Sequence, residues 1–434
     1  MSTTINTHPR NGGSPAGPHQ APATEVLLDR FRPVFARIAG SAAERERNRT
    51  LPFEEVDTLK EAGFGALRVP VEYGGSGASL RQLFVLLTEL AAADSNLTQL
   101  WRGHFAYVEG TLLQPRSAHR DRWFLDIAAG AMVGNASSEL SGTSLRDIRT
   151  SLIPSAAGDT QTLTGTKYYS TGSLYADWIA GSAVRDGERV GYAVRATAPG
   201  VDRIDDWDGF GQRLTGSGTT RFTDVRVDPR DVRSSSPDTP SHVHAFFQLV
   251  LVASLAGIAR AAAGDAAAFV RPRTRSYVNA PTPLPREDPQ VLQVLGELSS
   301  LAFSARAVVL AAADALDAAF TAVTEVRQGR SPDGGTADTQ PAGQGPGEDA
   351  ARAAVDEAEI AVSQAQVVSV DQVPRAATHL FEVGGASATS TGRALDRHWR
   401  NARTISSHNP AIYKARSLGY WAVHGEREPL PGDA

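Results

Sequence analysis

The sequence predicts an α+β protein: helices first, then a compact β unit, then a helical bundle. Three patterns carry this. Between about residues 24 and 122, Leu27, Leu28, Phe31, Val34, Phe35 and Ile38 recur at three- and four-residue spacing, as on the apolar face of a helix. Between about 131 and 232, the stretches 190–195 and 219–227 alternate with period two, as half-buried strands do. From about 241 onward, residues 253–270 and 291–326 are long, alanine-rich and amphipathic.

Each element has a local reason. Leu51-Pro52 followed by Glu54 and Glu55 reads as a helix start, with proline early and acids in the first turn. Val69-Pro-Val-Glu-Tyr-Gly-Gly-Ser-Gly77 is a turn-rich break. Residues 79–93 resume helical spacing, and Asp94-Ser95-Asn96 interrupts it before another apolar helix. Residues 161–184 fit two strands, 163–169 and 178–184, joined by a glycine-containing loop. His242 and His244 mark a helix start. The Gly/Pro/Asp/Gln-rich stretch 328–347 reads as a mobile insertion between two long helices. The expected organisation is a disordered tail at 1–23, a helical domain at 24–129, a β domain at 130–238 and a helical bundle at 239–434.

Composition narrows the function. At 434 residues, 41% hydrophobic and 21% charged, a sizeable core is available. A net charge of -5 argues against a general nucleic-acid binder. The absence of cysteine removes disulfides, thiolate metal sites and thiol nucleophiles. Lys60, Lys167 and Lys414 are the only lysines among 43 basic residues, so arginine dominates; with the alanine richness this reflects a GC-rich genome rather than a binding surface. No uninterrupted apolar run reaches the roughly 18 residues that span a bilayer, and residues 1–23 have no apolar stretch of a signal peptide. No membrane partner is expected, and a cytoplasmic location is the default.

Familiar catalytic strings are missing. Gly74-Gly75-Ser76-Gly77 lacks the context and spacing of a dinucleotide fingerprint. There is no P-loop and no Gly-x-Ser-x-Gly elbow, and no histidine pair at metal-binding spacing, so no metal is expected. What remains is a small sheet between two helical blocks, which offers a cleft lined by both.

Several strings carry a resemblance over nearly the whole chain from about residue 24. They are the 69–77 string, Leu163-Thr-Gly-Thr-Lys-Tyr-Tyr-Ser-Thr-Gly172, and Arg400-Asn-Ala-Arg403. The chain resembles the acyl-CoA dehydrogenase superfamily, which implies an N-terminal helical domain, a central small β-barrel or sheet domain and a C-terminal four-helix bundle. Dehydrogenases of this kind use a carboxylate to remove a proton. In many members it is a glutamate shortly after the terminal arginine motif, and a gapless match puts Asn409 there. An amide has no basic lone pair near neutral pH. Gly134-Asn-Ala-Ser-Ser-Glu139, Asp205-Asp-Trp207 and Trp399-Arg-Asn-Ala-Arg-Thr-Ile-Ser-Ser-His408-Asn-Pro410 are more similar to a branch of two-component flavin monooxygenases typified by dibenzothiophene monooxygenase.

That resemblance implies FMN as the cofactor, used as FMNH2 supplied by a separate NAD(P)H:flavin reductase; FAD is less expected. It implies reaction with O2 to a flavin C4a-(hydro)peroxide. One oxygen atom would pass to a sulfur, nitrogen or electron-rich carbon of a small apolar or aromatic substrate. It also implies a homotetramer. His408 can act as acid or base near neutral pH, or can cap the helix starting near Ala411. His104 either faces the substrate pocket as a catalytic group or is a satisfied core histidine. Thr171 occupies a hydroxyl position near flavin N5. Asn135 and Ser138 would contact the isoalloxazine or its ribityl chain, and Trp207 offers a ring to pack on the flavin. Each of these could instead be a buried polar group serving the backbone. Arg273, four residues after Phe269, would reach a neighbouring subunit's flavin phosphate, or lies in a solvated basic turn. An arginine held to bind phosphate in the C-terminal flavin loop is replaced here by Ser387. Phe105, Phe246 and Phe247 are candidate substrate-pocket walls, though aromatics at helical spacing also build cores. Two other functions remain open: an FAD-dependent acyl-CoA dehydrogenase with its base elsewhere, and a non-catalytic, flavin-poor homologue.

Overall fold

The computed structural model describes residues 22–140, 148–154, 160–234, 239–329 and 346–428. Most of the expected tail and of the expected 328–347 insertion therefore lies outside the described residues. The first block holds α1 (Thr24–Asn48), α2 (Phe53–Glu61), α3 (Leu80–Ala93), α4 (Ser95–Leu112) and α5 (Ala118–Ala128). Pro52 stands at the N-cap of α2 and Glu54 and Glu55 fill its first turn. Ser79 opens α3 with a capping box, its side chain accepting from the Gln82 backbone while Gln82 returns the bond. Asp94 closes α3 with its backbone N–H on the Leu90 carbonyl and caps α4 by accepting the Asn96 N–H on its side chain, so one residue makes the break read from the sequence.

The β unit is one eight-stranded sheet. Its strands are β1 (Val133–Ala136), β2 (Ser151–Pro154), β3 (Gln161–Lys167), β4 (Trp178–Arg185), β5 (Glu188–Arg195), β6 (Val201–Ile204), β7 (Thr219–Val227) and β8 (Val232–Ser234). Their order is β6-β7-β3-β2-β4-β5-β8, with β1 pairing parallel to β4. The two strands expected in 161–184 both form, but they do not pair with each other. β3 lies between β2 and β7, while β4 takes β1, β2 and β5. The connection between them is therefore a crossover carrying residues 168–177, and this is the segment that bears Thr171.

The second helical block holds α6 (Val243–Val270), α7 (Pro289–Gly329), α8 (Pro346–His379), α9 (Asp396–Ser406) and α10 (Ala411–His424). His242 sits at the N-cap of α6, as its position suggested. Once delimited, α6 and α7 are long and apolar enough to span a bilayer by composition, which the search for uninterrupted runs missed. The apolar window of α6 is 83% buried inside the protein, packed by α3, α4, α7 and α8. One apolar core runs through α1, α3, α4, α6, α7 and α8, joining the two helical blocks; the sheet has its own, around Tyr192, Phe222 and Val225.

Candidate functional site

Helix α4 is the seam between the helical and β parts. At its start, Ser95 Oγ accepts from Gln212 Nε2 at 3.0 Å and Asn96 Oδ1 accepts from the Leu214 N–H at 3.2 Å. Further along, the helix meets the β3–β4 crossover at Gly172. That residue has φ +80, and a Cβ there would stand 2.5 Å from the Leu100 carbonyl oxygen, so only glycine fits. At Gly103 the helix touches β1: a Cβ would lie 2.8 Å from Asn135 Cβ. Asn135 and the segment that carries Thr171 are thus held against one helix.

On the sheet side, Asn135 Oδ1 accepts from Ser137 Oγ at 3.0 Å, its N–H donates to the Thr171 carbonyl, and its side chain is half-buried. Thr171 is also half-buried. Its hydroxyl shares a hydrogen bond with Ser217 Oγ at 2.8 Å, which meets Thr215 Oγ1 at 2.7 Å, which donates to the Gln212 carbonyl at 2.9 Å. This hydroxyl relay begins at a partly open surface and ends in the core. Neither Ser217 nor Thr215 was singled out from the sequence. Half-buried Ser138 fixes the crossover by accepting the Tyr168 N–H on its carbonyl. Trp207 is half-buried, donates from Nε1 to the Gly211 carbonyl at 3.3 Å, and meets the exposed ring of Tyr169 edge-on at 6.0 Å.

The 207–217 loop is set by α9, which explains much of the Trp-Arg-Asn string. Buried Asn401 accepts the Gln212 N–H on Oδ1 at 2.6 Å. Arg400 donates to Glu46 at 2.7 Å and to the Phe210 carbonyl at 3.1 Å, and Trp399 stacks on Phe210 at 5.7 Å. These residues position the loop.

His408 follows α9. It does not cap α10, whose N-cap is Pro410. Arg102 Nη1 donates to His408 Nε2 at 3.0 Å. Arg102 also donates from Nε to the Phe247 carbonyl at 2.7 Å, and its guanidinium lies 3.5 Å from the centre of the Phe247 ring. Crowding by the protein, and then the Arg102 charge, push the imidazole well below its ordinary pKa, although the residue keeps a solvent-exposed face. The ring is therefore neutral near pH 7 with its Nε2 lone pair engaged. This changes the expectation of a free acid–base histidine. Asn409 donates to Gln248 Oε1, an amide pair where a dehydrogenase of this pattern would carry its carboxylate. Arg102 itself was missed: burial pushes its pKa down to about 9, and no carboxylate pairs with it among the described residues.

Several expected pocket residues are core residues. His104 is fully buried; its Nε2–H donates to the Gly65 carbonyl at 2.9 Å and its Nδ1 accepts the Val133 N–H at 3.1 Å. Burial lowers its pKa to about 4. With both nitrogens used by main chain it is a structural pin, not a catalytic group facing a pocket. Phe105 packs edge-on against Phe64 and beside Trp101, and Phe246 packs on Phe84, all inside the main core. Phe247 alone of the three is half-buried and stays in the site.

Arg273 lies near the end of α6. It donates to the Val383 carbonyl at 3.3 Å and covers Phe269 at 4.8 Å, so it is held in place although residues 271, 272, 274 and 275 around it are exposed. Arg393 lies over the same ring at 4.7 Å, a second cation near the loop where Ser387 stands. Neither arginine has a carboxylate partner among the described residues, which suits them to an anion such as phosphate. The donor set as a whole fits a flavin: amide and hydroxyl groups, an indole and tyrosine beside them, and arginines at a second locus.

Comparison with known proteins agrees with this geometry. The family of the acyl-CoA dehydrogenase N-terminal domain matches residues 23–131, and that of the C-terminal domain matches 249–411. The chain is 27% identical to the probable FMNH2-dependent monooxygenase SfnC of Pseudomonas putida, over 99% of each protein. It is 29% identical to dibenzothiophene monooxygenase of Rhodococcus qingshengii, over 90% of this chain and 91% of that one. The crystal structure of FMN-bound TdsC from Paenibacillus sp. A11-2 superposes with a TM-score of 0.78 at 26% identity, covering 94% of this chain and all (100%) of that one. With both domain families matched, and a helix–sheet–helix arrangement shared along nearly its full length with these flavin enzymes, the chain belongs to the acyl-CoA dehydrogenase superfamily, in its branch of flavin-dependent monooxygenases similar to dibenzothiophene monooxygenase.

Proposed function

We propose that the protein is a two-component monooxygenase that takes FMNH2 from a separate NAD(P)H:flavin reductase. It uses O2 to place one oxygen atom on a sulfur, nitrogen or electron-rich carbon of a small substrate. The observation that carries this over a dehydrogenase is Asn409. Its amide is bonded to Gln248, and its neighbours His408 and Arg102 bring no carboxylate among the described residues. The position that carries the proton-abstracting carboxylate in many dehydrogenases therefore holds no base here.

Reduced flavin, when bound, supplies the electrons that activate oxygen. Asn135 and the Thr171 hydroxyl would hold its polar edge, Trp207 would pack beside it, and Arg273 with Arg393 would hold the phosphate, Arg273 across a subunit boundary. The Thr171–Ser217–Thr215 relay can donate or accept at its outer end without moving a heavy atom, because hydroxyl protons rotate. His408 stays neutral, its Nε2 accepting from Arg102 and its side chain also bonded to Asn409, so it would act as part of this hydrogen-bonded chain. Phe247 keeps an apolar wall beside these groups, limiting water. The reading includes a homotetramer working in the cytoplasm.

The test is stopped-flow absorbance. Anaerobic protein with FMNH2 is mixed with oxygenated buffer. A transient between reduced and oxidised flavin that outlives that of free FMNH2 by about tenfold or more (~1.4 kcal/mol of barrier) is the expected result. Direct return to oxidised flavin, together with tight FAD binding and bleaching by an acyl-CoA, would point to the dehydrogenase instead. No flavin binding at all would leave a non-catalytic homologue.

A further inference from the structure

Arg102 stands apart from the other buried arginines. Three arginines are buried among the described residues: Arg45, Arg68 and Arg102. Arg45 holds Glu55 and Asp94 at 2.7 and 2.9 Å, and Arg68 holds Glu109 at 2.6 Å. Arg102 has only neutral partners, namely the Phe247 carbonyl, the Phe247 ring and the His408 imidazole. A guanidinium 5% exposed has lost most of its hydration. A ring contact and two neutral acceptors return less than a charge loses on burial. His408, bonded to Arg102, is solvent-exposed, so the uncompensated charge lies one side chain from the surface.

We propose that Arg102 is a substrate-binding residue, anchoring an oxyanion group (carboxylate, sulfinate or sulfonate) on the molecule to be oxygenated, with Phe247 as the apolar wall for its carbon part. This rests on the monooxygenase reading and adds the charge of the substrate to it. Two features favour a substrate over the flavin phosphate as the anion. The phosphate already has a candidate pair of its own, Arg273 and Arg393 beside Phe269. Arg102 is also bonded to the ring of His408, the residue that the resemblance assigns to the reacting end of the flavin rather than to its phosphate.

The experiment uses the full-length protein with bound FMN and two probes of nearly equal shape. Benzenesulfinate carries the charge; methyl phenyl sulfoxide replaces one oxygen by a methyl. Calorimetry on the wild type is expected to give at least about tenfold tighter binding of the anion, the scale of a charge-assisted hydrogen bond. R102M is expected to remove that preference while leaving the sulfoxide affinity within about twofold, and R102K to restore part of it. Equal binding of the two probes by the wild type, or no binding of the sulfinate, overturns the proposal without any variant. So does an R102M that lowers FMN affinity but not riboflavin affinity, which would assign Arg102 to the flavin phosphate. The stopped-flow transient is recorded on the same samples. If it forms while the anion preference is absent, this inference fails alone. If the preference holds while wild type shows no transient, the monooxygenase reading fails and Arg102 remains an anion site.

Discussion

His104 shows what a buried titratable residue costs as pH falls. Its folded pKa is near 4, below the roughly 6.5 of an unfolded histidine. Between those values the unfolded chain binds the extra proton, so stability rises with pH there and is lost as pH falls. That difference corresponds to about 3 kcal/mol at most, fully present above pH ~6.5 and gone below pH ~4. Chemical denaturation from pH 7 to 4 should therefore be shallower for His104→Gln than for wild type. The variant is also expected to be about 1–3 kcal/mol less stable at pH 7, because the Val133 N–H or the Gly65 carbonyl loses its partner. An unchanged pH slope would mean that the ring is not held neutral. Position 104 alone could not reveal this, since helical spacing shows which residues share a face but not what main chain comes to meet them. Arg102 was hidden differently. In a chain this rich in arginine, one more carries no signal unless its neighbours are read: positions 98, 99, 105 and 106 are Thr, Gln, Phe and Ala, so no acid on the same helix face offers a pair.

At the scale of elements, α4 brings the site together by lying very close to its neighbours. Gly103→Ala puts a methyl 2.8 Å from Asn135 Cβ, so either the helix or β1 must shift. The expected cost is about 1–3 kcal/mol of stability, read as a lower Tm, with weaker FMN binding because Asn135 moves. The same change at Gly264, where a Cβ meets nothing within 4 Å, should be neutral or slightly stabilising and serves as the control. Wild-type FMN affinity in Gly103→Ala would detach Asn135 from the flavin. Helix boundaries were legible because capping is local: Ser79, Asp94 and Pro52 sit where their chemistry placed them. Strand pairing was not. That β3 and β4 are separated by β2 depends on contacts across the sheet that no short window holds. The hydroxyl relay was missed for the same reason, since Thr171 and Ser217 are 46 residues apart.

On the whole molecule, large apolar side chains remain on the second helical block: Phe303 is 77% exposed, Ile412 74% and Val423 78%. Single exposed apolar residues are ordinary, but α10 buries none of its own residues. The proposed tetramer would cover them. Sedimentation velocity of the full-length protein is expected to show a species near four chains. Ile412→Glu and Phe303→Glu should shift it toward smaller forms with little loss of helical circular dichroism. A wild-type monomer at micromolar concentration would remove the assembly and the cross-subunit role of Arg273.

The core that joins α3 and α4 to α6, α7 and α8 also sets a timetable for synthesis. When Leu112 leaves the ribosome, α3 and α4 can pack on α1 and on each other, but the apolar surfaces they turn to α6 have no cover, because α6 begins at Val243. At the usual elongation rate of about 5–20 residues per second, those faces wait roughly 7–25 s before their cover is made. During that interval the nascent chain is sticky, and a chaperone or a slower-translating neighbour competes for the same surfaces. Expression yield should then depend on temperature and chaperone supply more than the stability of the finished protein would suggest.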